Sequence, residues 1–191
     1  MTTRRLVVAG SLLAIVIFAA VLISQTWVGR LVAQRVPWKD REFPQVTTAL
    51  DARQTAVVAS LREQFARNSP GTTYSEGVEE PWCADFVSWV MRDAGVPLAN
   101  PNSGSWRIPG VYTLTDYYKS EGRFRPGDSD YQPKPGDVVL YAPGWRFGQH
   151  TNFVVRVDGD TLITVGGNEG GINSGETDRD DAGIVGFGVL E

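Results

Sequence analysis

Leu6 to Ile23 is a run of eighteen residues without a charge, nearly all of them apolar. Its length is near the minimum for spanning a bilayer and exceeds most signal-peptide cores. No small-x-small cleavage site follows it, and no cysteine stands where a lipid would be attached. The expected organisation is therefore a short tail over 1–5, a single-pass transmembrane anchor over 6–23, a juxtamembrane stalk over 24–45 and a globular domain over 46–191. A cleaved signal with a secreted domain is the alternative. Arg4 and Arg5 flank one side of the span, and Arg30, Arg35, Lys39 and Arg41 the other, so the balance of positive charge does not decide orientation. Arg4-Arg5 resembles a twin-arginine export signal only loosely.

With 42% apolar and 21% charged residues, the chain has the composition of a folded protein. Residues 36–191 carry 14 basic and 22 acidic side chains, a net of −8. That balance disfavours nucleic acid and anionic surfaces as partners. There is one cysteine, Cys83, and one histidine, His150. An intramolecular disulfide is excluded, and so is a thiolate-rich zinc site, which needs four soft ligands. Asp128 and Asp130 offer too few oxygens for calcium and read as turn residues. No metal and no cofactor is expected.

Periodicity organises the domain. Val46, Leu50, Val57, Leu61 and Phe65 form one stripe of a helix expected over Val46 to Asn68 and stopped by Ser69-Pro70-Gly71. A second helix is expected from about Pro81 to Ala94, with Phe86, Val87, Val90, Met91 and Ala94 on one face and Gly95 as its cap. From there to Pro135 the chain is rich in Gly, Pro, Asn, Ser and aromatics without clear periodicity. It is expected to be a long loop lining a substrate groove, with Trp106, Tyr112, Tyr117 and Tyr118 either stacking on substrate or forming core. Strands are expected over Asp137 to Tyr141, then Thr151 to Val157 and Thr161 to Val165 joined by Asp158-Gly159-Asp160, and lastly Ile184 to Leu190. Helices first and antiparallel strands after make an α+β domain.

Cys83 falls at the start of the second helix, where unpaired N–H groups and the helix dipole stabilise a thiolate. A thiol attacks only in that form, and its ordinary pKa of about 8.5 must fall for it to do so at neutral pH. His150 opens a later strand and can take the thiol proton, then return it to a leaving amine. Taken singly, a cysteine in an apolar helix reads as inert core and a lone histidine as an ordinary polar residue. Each opening its own element, with no other Cys or His in the chain, the two together point to a thiol hydrolase. A base needs an orienting partner on its second nitrogen. Asn168, in Gly166-Gly167-Asn168-Glu169-Gly170-Gly171, is one candidate, Glu169 is the competing one, and a glycine-rich turn without chemistry is the plain alternative.

Pro81-Trp82-Cys83-Ala84-Asp85-Phe86-Val87-Ser88-Trp89-Val90, Pro135-Gly136-Asp137-Val138-Val139-Leu140-Tyr141, His150-Thr151-Asn152-Phe153-Val154-Val155 and Gly166-Gly167-Asn168 follow in the order of a CHAP domain. The chain thus resembles the cysteine/histidine-dependent amidohydrolases and peptidases over roughly Val46 to Leu190. The resemblance implies a papain-like α+β fold, bacterial origin and a peptidoglycan substrate. The bond cut would be the N-acetylmuramoyl–L-alanine amide or a peptide bond of stem or crossbridge. It places Cys83 as nucleophile, His150 as base and Asn168 as orienting residue. Some relatives carry a Glu two residues before this Asn; here that position is Gly166, so Asn168 serves alone or with Glu169. The backbone N–H of Cys83 is one expected oxyanion donor. Tyr74 resembles the upstream Tyr of NlpC-type peptidases and is either a second donor or a packed aromatic. That chemistry, rather than charge, puts the domain outside the cytoplasm, anchored in the cell membrane. Two other functions fit the sequence: a catalytically silent wall-binding or interaction module, and a small-molecule amidase of the same fold.

Overall fold

The computed structural model describes residues 42–145 and 148–191. The expected tail, the anchor and most of the stalk lie outside the described residues. Among the described residues no helix is long and apolar enough to cross a membrane. Phe43, from the last part of the expected stalk, is already buried in the core of the domain.

Helix α1 spans Ala52–Arg67 and starts later than its apolar stripe suggested. Asp51 sets the start. Its carboxylate accepts the Gln54 N–H at 2.8 Å while the Gln54 side chain accepts the Asp51 N–H at 3.0 Å, a reciprocal capping box. Val46 and Leu50 precede the helix and still pack on the core. A single turn, α2, follows at Gly71–Tyr74. Helix α3 runs Cys83–Asp93, so Cys83 is its first residue. Gly95 takes φ 76, and the Val96 N–H donates back to the Met91 carbonyl at 2.9 Å, closing the helix in a Schellman turn.

The stretch expected to be a long loop contains a helix, α4, over Val111–Ser120. Val111, Leu114, Tyr117 and Tyr118 fall on one face and are buried. The Pro109-Gly110 and Glu121-Gly122 boundaries, with interspersed Thr, Asp and Lys, masked a pattern only ten residues long.

Six strands follow: β1 Phe124–Pro126, β2 Val138–Tyr141, β3 Thr151–Asp158, β4 Thr161–Gly166, β5 Asn173–Asp178 and β6 Ile184–Gly188. They form one antiparallel sheet in the order β1-β6-β2-β3-β4-β5. The sheet and the helices before it make an α+β fold. β1 and β5, the two edge strands, were not foreseen. β5, Asn-Ser-Gly-Glu-Thr-Asp, has an edge strand's polarity rather than a core strand's pattern.

One sheet face packs on α3. Phe86, Val87, Val90 and Met91 join Val138, Leu140, Phe153, Val155 and Val165 in a single cluster. Full burial of side chains of this size contributes about 1.5–3 kcal/mol each. The opposite face is buried too, by Val139, Tyr141, Val154, Leu162, Ile184 and Phe187. Arg179 closes part of it, lying 4.8 Å over the Phe187 ring and donating to the carbonyls of Gly127, Ser129 and Tyr131. The Pro135-Gly136-Asp137 block is a structural staple. The Asp137 carboxylate accepts from the N–H groups of Lys134 and Leu190 and from the Tyr131 hydroxyl, tying the start of β2 to the chain's last residues.

Candidate active site

Trp82 fixes where α3 begins. Its ring stacks on Tyr74 at 5.4 Å and meets Phe86 edge-on at 6.2 Å. Two glycines let it lie there: a Cβ on Gly71 would come within 2.3 Å of the ring, and one on Gly167 within 2.4 Å. Real Cβ contacts do not approach so closely, so α2 and the end of β4 both close directly onto the residue before Cys83.

His150 immediately precedes β3, and its carbonyl accepts the Tyr141 N–H from β2 at 2.9 Å. The imidazole is buried beside Tyr141 and Trp145, with the Trp145 ring nearly parallel at 6.1 Å between centroids. The Glu169 carboxylate lies 2.9 Å from Nε2, leaving Nδ1 for the thiol. Burial works against a charged imidazole. Hydrogen bonds to Cys83 and Glu169, with their negative charge, outweigh it and raise the His150 pKa to about 9.

Asn168, the expected orienting residue, stands next to Glu169 in the turn after β4. It is exposed, it stands at φ 66, and among the described residues no hydrogen bond joins it to the imidazole. Its left-handed backbone instead begins the turn that carries Glu169 back, a turn held by the Glu169 N–H on the Gly171 carbonyl and the Asn173 amide on the Glu169 carbonyl. Tyr74 is a packed aromatic: it is wholly buried, and its hydroxyl is 3.2 Å from the Gln64 side-chain oxygen. Of the two readings offered for Tyr74, this packing fits the second.

A cleft of about 690 Å³ opens beside this cluster, lined among others by Pro81, Trp145, His150, Asn168, Glu169 and Glu176. Its walls come from the β2–β3 and β4–β5 regions. None of the Asn100–Pro135 residues lines it; Pro133, Lys134 and Pro135 line a separate hollow of about 600 Å³ with residues 48–51. Trp106 packs against Trp89, Tyr117 and Tyr118 are core, and Tyr112 alone is exposed. Cys83 is 4% exposed at the helix start. Among the described residues no cluster of three or more His, Cys, Asp or Glu side chains could hold a metal ion.

The family model of the CHAP domain matches residues 73–168. The chain belongs to the CHAP domain family. The matched span carries Cys83, His150 and Asn168, and Glu169 stands just beyond it. Among solved structures, this CHAP chain is similar to the crystal structure of Ly7917, with 17% identity and a TM-score of 0.46 over 70% of this chain and 60% of that one. It is also similar to Ly7917 crystallised with the hydrolyzing product of MDP, with 18% identity and a TM-score of 0.44 over 70% and 61% of the two chains. The CHAP chain thus spans less than two thirds of that protein's length. No curated protein matches it.

Two features of the CHAP site had no reading from the sequence. Asp85, in the first turn of α3, is fully buried and paired at 2.7 Å with Arg107, which also grips Glu80. Burial raises the Asp85 pKa to about 6 although Arg107 opposes it. The clamp ties the segment before α4 to the start of the cysteine helix. Asn152 is the second, buried two residues after His150 on the same face of β3. Polar residues inside an otherwise apolar strand and helix were the available signal for both.

Proposed function

We propose that this protein is a peptidoglycan hydrolase that cleaves an amide or peptide bond through a covalent Cys83 intermediate. The observation that carries the reading is the Glu169–His150–Cys83 contact, built from the chain's only cysteine and histidine in a CHAP domain.

In this reading the Cys83 Sγ, as thiolate, attacks the carbonyl carbon of the scissile bond. The negative oxygen that forms is met by N–H groups of the first turn of α3, Cys83 among them, which have no partner within the helix. The His150 imidazolium gives its Nδ1 proton to the leaving amine as the C–N bond breaks, and a thioester remains. Water then attacks the thioester, His150 takes its proton, and the thiolate departs with the acid released. Glu169 orients the ring and stabilises its charged form throughout. The run at residues 6–23 anchors the enzyme in the membrane, with the domain over 46–191 facing the wall outside the cytoplasm.

Alkylation of Cys83 by iodoacetamide at pH 7 tests the activated pair. The His150→Ala variant is expected to react about tenfold slower or more, because the thiol loses its proton acceptor. Equal rates in the two proteins would remove the pair and favour a catalytically silent wall-binding module.

A further inference from the structure

The register that pairs Phe153 with Val165 and Val154 with Thr164 places Asn152 opposite Gly166. There the missing side chain matters. A Cβ on Gly166 would stand 2.0 Å from Asn152 Oδ1 and 3.0 Å from Glu169 Oε1, so the amide and the carboxylate share the space of one side chain. Asn152 is 4% exposed. Its Nδ2 donates to Thr164 Oγ1 at 3.3 Å, while Oδ1 is buried and has no partner among the described residues; both residues stand in the wall of the cleft. Thr164 in turn donates to the Gly175 carbonyl at 3.3 Å.

A buried carbonyl oxygen set beside a carboxylate leaves two acceptors without a donor between them. Reversing the amide about its last torsion leaves its shape unchanged. The NH₂ group then faces Glu169, and Oδ1 receives the Thr164 hydroxyl. That one rotation gives the orphaned Oδ1 a donor, with the Thr164 hydrogen turning from the Gly175 carbonyl, and gives Glu169 a second donor beside His150 Nε2.

Building on the Cys83–His150 reading above, we propose that Asn152 is a positioning residue, donating to the Glu169 carboxylate and holding it against His150. Thr164 fixes the amide from behind, and Gly166 is the residue that admits both groups. In this arrangement Glu169 supplies the charge and Asn152 aims it.

The groups facing the imidazole are Cys83 from α3, Glu169 from the turn after β4, and Tyr141 and Trp145 from β2 and the turn after it. His150 is the chain's only histidine, so its ring gives a single, unambiguous NMR titration. In the full-length chain carrying Cys83→Ala, which silences the thiol, Asn152→Leu is expected to lower the His150 midpoint by about one pH unit as Glu169 loosens. Thr164→Val is expected to shift it in the same direction by less. With Cys83 restored, Asn152→Leu should slow iodoacetamide alkylation several-fold. A residue that merely packs would lower the melting temperature and leave the midpoint in place. A folded Asn152→Leu protein with its parent's midpoint overturns the proposal; if that variant does not fold, an unmoved midpoint in Thr164→Val does so. Wall digestion reads separately: a shifted midpoint in a protein that cuts no peptidoglycan leaves the positioning role standing and removes the substrate reading.

Discussion

At His150, burial and charge pull in opposite directions, and charge wins. The ring is nearly closed off from water, which alone would favour the neutral form, yet Cys83 and Glu169 raise its pKa to about 9. A folded pKa above the ordinary value of about 6.5 means that the charged ring stabilises the fold fully below that pH. The contribution is lost as pH rises through about 9. Activity that depends on the thiolate–imidazolium pair should fall along the same alkaline limb. Glu169→Gln removes the negative charge, so the alkaline limb of kcat/KM is expected to move to lower pH and the maximum to drop on the order of 10²-fold. Asn168→Ala is expected to leave the limb where it is. A pH profile of kcat/KM for the three proteins checks this, and an unmoved limb in Glu169→Gln would deny the carboxylate its orienting role. The sequence made both residues visible as candidates. It did not separate them, because the left-handed turn at Asn168 decides which side chain returns to the ring, and adjacent residues differ only in that backbone.

Helix α3 carries the thiol, and its first turn is held by charge as well as by packing. Asp85 is wholly buried and relies on Arg107 from outside the helix. Arg107→Met is expected to destabilise the fold by about 3–5 kcal/mol, since it strands a buried carboxylate. The sign of its pH dependence follows from the raised pKa of Asp85. The folded protein keeps a proton that the unfolded chain releases, so stability declines as pH rises from about 4 to about 6. The deficit of Arg107→Met should accordingly be larger at pH 8 than at pH 5, measured by urea denaturation; a deficit independent of pH would mean the ion pair is incidental. At this scale the sequence was informative where side chains repeat. The face of α3 and the β3–β4 hairpin were legible because Phe86, Val87, Val90 and the Asp158-Gly159-Asp160 turn carry local signals. α4 and β5 were hidden, one by its shortness between Gly and Pro, the other because its polar residues become a strand only by pairing with β4. The roles of Gly166 and Gly167 were hidden for a related reason: what each admits, Asn152 with Glu169 and Trp82 with Phe86, comes from distant parts of the chain.

The chain carries a CHAP domain after an uncharged, largely apolar run at residues 6–23. In the domain, Gly166 at the end of β4 admits Asn152 and Glu169, and Gly167 after it admits Trp82, the residue before Cys83, beside a cleft lined by His150 and Glu169. That convergence is what the proposed hydrolysis through an acyl-enzyme requires. The direct test is digestion of purified peptidoglycan by the full-length protein, with Cys83→Ala in parallel and the products identified by mass. New amine termini released by the wild type and absent with Cys83→Ala are the predicted result, and their masses name the bond. Equal product from both proteins, or none from either, would contradict hydrolysis through Cys83.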